Sequence, residues 1–426
     1  MPNLSYFFDR SSLDDLPEAL LIEMRQLGLV APDHLRVHYC GFVSWQDGVA
    51  VFMPRNSRCD SRTPENAYYL LQALKRYYLN KTSGVSEGLE GELIGKSSLT
   101  LAVGLVDDYL ANGVYVRRTR KFSVNTGRPN WKRTIGKQTA YLSGNAPVYL
   151  DLETSSTTYV ASCETAKIHA RVLREIDAKF GVLLLGQDGL PGQRLEQLSE
   201  PFADDIGQLA VLDRELSESY SERDIQLIGM LKQYIENSSG TAGDTLFVGT
   251  RNFHNVWEGM LDACLPRTKS INEDLPRPFY LQDDGDYYPS HGQRTDTVIV
   301  NERKDKWAII DAKYYAANGM DSVPRWHDLV KQLFYKTAAE EISGKGVEIS
   351  LHFVFPGKAG PLVNAKVGHH KKAESGKFST EAFSEVAKYG VIHCHYCEPN
   401  MLMRKYVDSE ILDIDKDKDL SGSVFR

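Results

Sequence analysis

Residues 296–313 read Asp-Thr-Val-Ile-Val-Asn-Glu-Arg-Lys-Asp-Lys-Trp-Ala-Ile-Ile-Asp-Ala-Lys, and this stretch decides the fold of the second half of the chain. The β-branched run 297–300 and the apolar run 307–310 flank a polar segment, 301–306, that contains five charged residues. Two apolar runs around a short polar turn are typical of a β-hairpin. The sequence therefore predicts two antiparallel strands here.

The predicted hairpin brings charged residues together at its open end. If Val300 lies opposite Trp307, then Asp296 lies opposite Asp311, and opposed side chains share a face with Cβ atoms about 5 Å apart. Lys313 points to the same face because it lies two residues beyond Asp311. Two carboxylates this close repel each other, and Mg²⁺ bound by them and by phosphate oxygens would relieve the repulsion. Lys313 would then orient or deprotonate an attacking water, or stabilise charge developing on a phosphate.

An Asp followed fifteen residues later by Asp-x-Lys, with an apolar strand between them and a helix afterwards, resembles the PD-(D/E)xK nuclease superfamily. The resemblance implies a mixed sheet flanked by helices and Mg²⁺-dependent cleavage of phosphodiester bonds. It makes Asp296, Asp311 and Lys313 catalytic residues and the two aspartates metal ligands. Thr295 stands where the family name has Pro, which does no chemistry. The alternative is a surface hairpin whose charges have no catalytic role.

Two helices of the same region carry further candidates. The helix after the hairpin is predicted to begin at Val323-Pro324, and it places Asp328, Gln332 and Tyr335 on one face. In the superfamily a Gln and a Tyr of this helix contact DNA or steady the catalytic lysine, which implies a catalytic role for Gln332. The usual spacing, Gln-x-x-x-Tyr, is one residue longer than in this chain. A polar face on a half-buried helix is the alternative.

An earlier amphipathic helix is predicted over residues 253–264, with an apolar face that includes Trp257. Glu258 lies on this helix. Within the nuclease resemblance, an acid on an early helix supplies a further contact to the metal, which makes Glu258 a catalytic candidate. The alternative is an exposed helix charge.

Composition indicates an ordinary globular protein of two or three domains. The 426 residues are 42% hydrophobic and carry a net charge of −7, which disfavours nonspecific nucleic-acid binding except through local basic patches. Six cysteines are scattered along the chain, and no apolar run approaches the ~20 residues that span a bilayer. The chain also opens without a signal-peptide pattern. We expect a cytoplasmic protein with free thiols and no membrane association.

Residues 109–150 form the clearest basic patch, because they contain no acid at all. Basic residues alternate there with Tyr115, Phe122 and Trp131, a combination that suits a phosphate backbone. The predicted DNA-binding residues are Arg117, Arg118, Arg120, Arg128, Lys132 and Arg133. The alternatives are a basic face for an acidic protein partner and a solvated surface.

The order of these patterns predicts three segments. Residues 1–145 form an N-terminal α+β domain for DNA or partner binding, either winged-helix-like or another small α+β module. Residues 146–219 form a helical linker region, and residues 220–426 form the nuclease domain. The predicted fold class is therefore α+β or α/β, with a nuclease-like mixed sheet at the C-terminal end.

Three motif-like stretches lack the spacing that their chemistry needs. Residues 91–97 resemble a P-loop but have three residues between the glycines instead of four, so we predict no nucleotide site. Residues 393–397 resemble a zinc knuckle without a second cysteine pair, and an edge strand explains them better. Residues 413–417 begin like a calcium loop, yet its sixth position is Lys418 instead of Gly.

Several short segments make the resemblance closer, and they run in the same order in this chain as in LlaJI-type restriction endonucleases, which are relatives of McrC. They are 127–135, the helix around Ile168-His169, 253–258 and the hairpin. The resemblance implies an endonuclease of a bacterial restriction, or phage-defence, system that cuts double-stranded DNA. It also implies a separately encoded McrB-like AAA+ GTPase as partner, and a homo-oligomer is compatible with it. Two alternatives stay open: a self-sufficient Type II enzyme, and a DNA-binding or scaffold subunit that does not cut.

Overall fold

The computed structural model describes residues 3–31, 34–45, 47–58, 60, 62–81, 96–186, 189–238, 247–370, 383–414 and 419–425. Within these ranges the chain is a mixed α+β protein. The strands are β1 (Leu4–Phe8), β2 (Cys40–Trp45), β3 (Gly48–Met53), β4 (Arg117–Val124), β5 (Arg128–Pro129), β6 (Ala140–Ser143), β7 (Ala146–Tyr149), β8 (Glu153–Val160), β9 (Phe247–Thr250), β10 (Phe279–Leu281), β11 (Tyr287–Pro289), β12 (Thr297–Val300), β13 (Lys306–Ala312), β14 (Glu348–Pro356), β15 (Asn364–Lys366), β16 (Gly368–His370), β17 (Phe383–Glu385) and β18 (Val391–Cys397).

The helices connect and cover these strands. They are α1 (Glu18–Gln26), α2 (Pro64–Lys81), α3 (Lys96–Asn112), α4 (Trp131–Lys137), α5 (Glu164–Leu185), α6 (Gln193–Gln197), α7 (Asp205–Glu218), α8 (Glu222–Ser238), α9 (Phe253–Cys264), α10 (Trp326–Ser343) and α11 (Pro399–Asp408). In the described part of the chain, no helix is long and apolar enough to cross a membrane.

The chain divides into two compact units, and each is described by itself. The smaller unit contains residues 97–181 and 188–245, and the larger unit contains residues 2–96, 182–187 and 246–426. These limits differ from the sequence-based segments 1–145, 146–219 and 220–426, which stay a prediction about domains.

A three-stranded antiparallel sheet, β4-β8-β5, and the β6-β7 hairpin form the β structure of the smaller unit. Beside the sheet lies a buried polar network around Glu215 of α7. This carboxylate accepts hydrogen bonds from Tyr115 Oη at 2.9 Å, Arg117 Nε at 2.8 Å and Thr165 Oγ1 at 3.3 Å. A buried carboxylate is tolerated here because its oxygens have donors, including a guanidinium. His169, on α5, accepts a hydrogen bond from the Tyr115 amide at 3.1 Å through Nδ1.

Burial makes His169 a source of acid sensitivity. It lowers the pKa of this imidazole to about 4, whereas an unfolded histidine has a pKa near 6.5. The unfolded chain therefore binds the proton first as the pH falls. The contribution of neutral His169 to the free energy of unfolding is fully present above pH 6.5. It is lost progressively towards pH 4, by up to about 3 kcal/mol. We expect His169→Gln to flatten the fall of the thermal midpoint between pH 6.5 and 4.

Thermal unfolding followed by circular dichroism at several pH values measures this contribution. The exposed His291 provides the matched control, and His291→Gln should follow the wild-type curve. A His169→Gln curve parallel to wild type throughout this pH range would contradict the assignment.

A five-stranded mixed sheet with the order β12-β13-β14-β18-β15 lies in the larger unit. β12 and β13 are antiparallel, β13, β14 and β18 run parallel, and β15 is antiparallel at the edge. The helix α10 connects β13 to β14, because parallel neighbours need a crossover connection. Its residues Tyr335, Ala338 and Ala339 belong to the same buried core as Ile309 and Phe353 of the sheet. The crossover therefore covers the sheet with the helix that follows the hairpin.

The predicted hairpin is confirmed in its strands and in its register. Val300 lies opposite Trp307 and Thr297 lies opposite Ile310. Since Asp296 directly precedes Thr297 and Asp311 directly follows Ile310, the same register sets the two aspartates opposite each other.

A second sheet of the larger unit has the order β1-β3-β2-β9. β1 and β3 are parallel, whereas β2 is antiparallel to both of its neighbours, β3 and β9. Leu20 and Met24 of α1 pack with Tyr39 and Phe52 in the core of this sheet. Gly41 is required where β2 meets β9, because a Cβ there would lie 2.2 Å from the Val248 carbonyl oxygen.

Candidate active site

The two aspartates of the hairpin are held close together in a largely buried position. Asp311 is 1% exposed, and the side chain of Asp296 is 18% exposed. Asp296 Oδ2 accepts a hydrogen bond from the Ala312 amide at 2.9 Å, which fixes this carboxylate against β13. Burial and the adjacent Asp311 carboxyl raise the pKa of Asp296 to about 8. The pair therefore resists carrying two negative charges unless positive charge is close.

Lys313 supplies part of that positive charge from the end of β13. Its Nζ lies 2.9 Å from Asp311 Oδ2 and 2.9 Å from Asp328 Oδ1, and its side chain is 12% exposed. Although burial acts to lower the pKa of Lys313, the carboxylates of Asp311 and Asp328 raise it above its usual value. The ammonium form is consequently the one present at neutral pH, and it places a positive charge beside the aspartate pair.

Asp328 is the second partner of Lys313. The sequence predicted the position of Asp328 on the helix face but did not predict that it belongs to the site. Its Oδ2 accepts the Arg325 amide at 2.9 Å, so the same carboxylate caps α10 and pairs with the lysine. Burial opposes ionisation, but the hydrogen bond and charge of Lys313 lower the pKa of Asp328. The cap also corrects the predicted helix start: α10 begins at Trp326 and not at Val323-Pro324.

Lys331, one turn further along α10, also reaches the pair and was not predicted as a site residue. Its Nζ lies 3.8 Å from Asp296 Oδ1 and 3.6 Å from Asp311 Oδ1. The ammonium also lies 5.4 Å from the centre of the Tyr335 ring. Lys331 therefore places one positive charge between the two carboxylates. A lysine three positions after Asp328 was the available signal, since residues i and i+3 share a helix face.

Gln332 and Tyr335 lie on one face of α10, as the helical spacing predicted, and that face is buried. Gln332 is fully buried, and its amide nitrogen and oxygen have no hydrogen-bond partner among the described residues. Tyr335 donates a hydrogen bond to the Arg294 carbonyl oxygen, close to Asp296 in the chain. The tyrosine therefore anchors the segment before β12, and the catalytic role of Gln332 stays a prediction.

Glu258 lies on α9, whose observed bounds match the predicted 253–264. Its charge acts with burial and Asp311 to raise the pKa of Asp296, so the three carboxylates belong to one electrostatic environment. Among the described residues, however, no group of three or more His, Cys, Asp or Glu side chains is placed to hold a metal ion. Two carboxylates match Mg²⁺, which keeps several waters and binds through one or two carboxylates and phosphate oxygens. They do not match zinc, which prefers nitrogen and sulfur ligands.

The predicted DNA-binding residues lie in the smaller unit and fall into two groups. Arg118, Arg120, Arg128 and Lys132 are exposed. Arg117 is engaged by the buried Glu215, and Arg133 pairs with Glu153 at 3.5 Å. The pairing of Arg117 was not visible in the sequence because its partner lies 98 residues away.

The side chain of Phe122 brings arginines of both groups together. On β4, alternation sets Arg118, Arg120 and Phe122 on one face, opposite Tyr159, Thr157 and Ser155 of β8. The Arg133 guanidinium lies 3.9 Å from the centre of the Phe122 ring. We call this surface, formed by Arg118, Arg120, Phe122, Arg133 and Tyr159, the basic face. It combines guanidinium groups with two aromatic rings that are about half exposed or more.

The chain belongs to the LlaJI restriction endonuclease family, whose family model matches residues 39–364. This confirms the resemblance to LlaJI-type enzymes. A relative from Bacillus subtilis (strain 168), the Type II restriction enzyme BsuMI component YdjA, is 25% identical over 341 residues. The match covers 75% of this chain and 72% of that protein.

Two solved structures from Thermococcus gammatolerans are similar at a low level. One is a half-complex of McrB AAA+ hexamers with bound McrC, at 11% identity and a TM-score of 0.39, covering 96% of this chain and 99% of that chain. The other is the McrBC complex, at 10% identity and a TM-score of 0.28, covering 60% and 85%. Structural similarity this low supports no conclusion about the present chain.

Proposed function

We propose that this protein is a Mg²⁺-dependent DNA endonuclease of a restriction system, with a PD-(D/E)xK site formed by Asp296, Asp311 and Lys313. The observation that carries the proposal is the buried aspartate pair with a protonated lysine 2.9 Å from one of its carboxylates. The sequence spacing supports the same assignment, and membership of the LlaJI family supports restriction as the context. An incidental surface hairpin would not bury both aspartates.

Each side chain has a role that follows from its charge and position. Mg²⁺ bound by Asp296 and Asp311 would act as a Lewis acid and lower the pKa of a bound water. Lys313 holds positive charge where negative charge develops on the phosphate, and the carboxylates of Asp311 and Asp328 favour its charged form. Asp328 fixes the direction of Lys313. We assign Glu258 and Gln332 supporting roles, through charge and through a buried amide.

The basic face is the proposed contact to the DNA backbone. Guanidinium groups bind phosphate oxygens, and exposed aromatic rings stack on bases. We expect Arg118→Gln with Arg120→Gln to weaken DNA binding and to reduce the slope of log affinity against log salt by about 0.9 per lost contact. Fluorescence anisotropy with a labelled duplex at several salt concentrations measures both quantities.

Arg214 is the matched control for this experiment, since it is an exposed arginine on α7 of the same unit. Arg214→Gln should leave the salt slope at its wild-type value. If the double variant also keeps the wild-type slope, the basic face does not contact DNA, and an acidic protein becomes the better candidate for its partner.

A separately encoded GTPase of the McrB type is the proposed partner. Three observations support a partner: the net charge of −7, the wrong spacing of the P-loop-like stretch 91–97, and the name of the Bacillus subtilis relative as a component. Residues 91–95 lie outside the described residues, and the spacing of their glycines is known from the sequence alone. A chain with little general attraction for DNA benefits from a partner that delivers it.

We expect the purified chain alone to neither bind nor hydrolyse GTP and to cut DNA poorly. Full activity should need Mg²⁺, GTP and the GTPase encoded by a neighbouring gene. The test compares plasmid cleavage by the chain with Mg²⁺, with and without GTP and with and without that gene product. Robust site-specific cutting by the chain alone would identify a self-sufficient Type II enzyme. DNA binding without cutting under every condition would identify a non-cutting subunit and refute the proposal.

A further inference from the structure

A second set of charged side chains gathers at one edge of the β1-β3-β2-β9 sheet. Arg10 follows β1 and Arg55 follows β3, and these parallel neighbours end together, with Phe8 opposite Met53. Arg36 joins them by donating a hydrogen bond from Nη1 to the Arg10 carbonyl oxygen at 2.9 Å. We call Arg10, Arg36 and Arg55 the arginine cluster. Its positive charge is permanent because a guanidinium does not lose its proton in a protein.

Negative charge near the arginine cluster falls short of its positive charge. Asp9 pairs with Arg10, with Oδ1 at 3.6 Å from Nε, and its side chain is almost fully buried. Burial raises the pKa of Asp9 to about 6 despite Arg10 and Arg55, so it provides at most one negative charge. Burial and the charges of Arg10 and Arg36 lower the pKa of Arg55. Among the described residues, three positive charges against one acid leave an excess that favours an anion.

His38, which lies beside the arginine cluster, is neutral and leaves the excess of positive charge unchanged. Arg10 Nη1 contacts the His38 ring, with Nε2 at 3.0 Å. Because a guanidinium only donates hydrogen bonds, His38 has to accept and is therefore neutral. Burial, together with Arg10, His34 and Arg55, lowers the pKa of His38 in agreement.

A buried guanidinium nitrogen of the cluster also points to an external acceptor. Arg55 Nε, which can only donate, is buried and has no hydrogen-bond partner within the described residues. Leaving a buried charged donor unpaired costs about 1–3 kcal/mol or more. Phosphate oxygens are strong acceptors, and the planar fork of arginine matches them in two-point contacts.

The arginine cluster borders the candidate active site through the residue that follows Lys313. Arg55 donates its amide to Tyr314 Oη at 2.9 Å and Nη1 to the Tyr314 carbonyl oxygen at 3.2 Å. The helix α9 connects the arginine cluster with the candidate active site. Burial and the charge of Arg10 lower the pKa of His254. Glu258, about 6 Å further along the helix axis, helps to raise the pKa of Asp296.

We propose that the arginine cluster binds a phosphate group of the DNA strand cut at the aspartate pair. The identity of the ligand as DNA rests on the proposed function, whereas the preference for a phosphate anion rests on the cluster itself. The phosphate belongs either to the continuous backbone or to a free or terminal phosphate, and the experiment below separates these sources.

Binding is measured in an Asp311→Asn background, so that DNA stays intact. The probes are a labelled duplex of about 20 base pairs, followed by fluorescence anisotropy, and inorganic phosphate, followed by calorimetry. Arg36 is exposed and donates a hydrogen bond to the Arg10 carbonyl oxygen through one side-chain nitrogen, so Arg36→Gln should keep the fold. We expect roughly tenfold weaker duplex binding and a salt slope reduced by about 0.9. Arg10→Gln should act in the same direction.

Arg58 is the matched control, because it lies three residues after Arg55 in an exposed pair with Asp60. Arg58→Gln should leave both quantities at their wild-type values. Unchanged duplex and phosphate binding in both Arg36→Gln and Arg10→Gln would overturn the proposal. Saturable inorganic phosphate binding that these variants lose assigns the site to a free or terminal phosphate. Loss of duplex binding alone assigns it to the backbone.

The two proposals fail separately. If wild-type protein with its partner never cuts DNA but Arg36→Gln still weakens anion binding, the nuclease assignment fails and the anion site stands. If cutting occurs and the arginine variants bind normally, the nuclease assignment stands and the anion site fails.

Discussion

Replacing Asp311 by Asn should reduce Mg²⁺-dependent DNA cleavage by at least about a thousandfold. Asp311 is one of the two proposed metal ligands, and the chemistry lost with a metal ion is worth several kcal/mol in the transition state, which corresponds to that factor. The substitution keeps the size of the side chain and removes one of two buried like charges, so the protein should still fold. Nicking of supercoiled plasmid, with Mg²⁺ and the partner present, measures the loss, and calorimetry measures the accompanying loss of Mg²⁺ binding.

Glu302 offers a control on the same hairpin, because it is an exposed acid of the turn between β12 and β13. Glu302→Gln should cut at the wild-type rate. Wild-type cleavage by Asp311→Asn would remove the pair from the mechanism and would leave the hairpin as a structural feature.

Replacing Lys313 by Gln should abolish cleavage for a different reason, while Mg²⁺ binding persists. Both aspartates remain, but the fixed positive charge beside Asp311 is lost, so charge on the phosphate is no longer stabilised. The variant should also be less stable by about 3 kcal/mol, because removing one partner of a buried ion pair leaves the other charges uncompensated. Plasmid nicking, Mg²⁺ calorimetry and thermal unfolding together distinguish this pattern from that of Asp311→Asn.

Lys336→Gln tests whether the loss of any lysine near the site reduces cleavage and stability as Lys313→Gln does. Lys336 lies on α10, where it pairs with Glu340 at 3.9 Å, whereas the described ion pairs of the two aspartates are with Lys313 and Lys331. Its variant should keep activity and most of the stability. Full cleavage by Lys313→Gln would exclude this lysine from the site and would direct attention to Lys331 as the catalytic cation.

The hairpin and its register were predictable because strand periodicity is local and fixed. Once two apolar runs flank a short turn, one pairing determines every other, and Asp296 opposite Asp311 follows. The bounds of α9 were predictable for a similar reason, since its apolar residues recur at helical spacing. These parts of the site depend on residues that are close in sequence.

The remaining contacts depend on how distant elements meet, which no local pattern encodes. Lys331 reaches the aspartates, and Asp328 reaches Lys313, only because α10 crosses back over the sheet and begins at Trp326. The pairing of β2 with β9 joins segments about two hundred residues apart. The arginine cluster likewise arises where two parallel strands end together, and neither Arg10 nor Arg55 lies in a recognisable motif.

The position of Lys331 means that the aspartate pair carries its own tethered counter-charge. Its ammonium lies within 4 Å of both carboxylates, so the protein without a metal ion is partly neutralised from within. A divalent ion bound at the proposed site would therefore compete with a group that loses no translational freedom, and its uptake would be an exchange of cations instead of a simple addition. The hairpin would then keep its shape when Mg²⁺ is scarce, and folding and metal loading would be separate events.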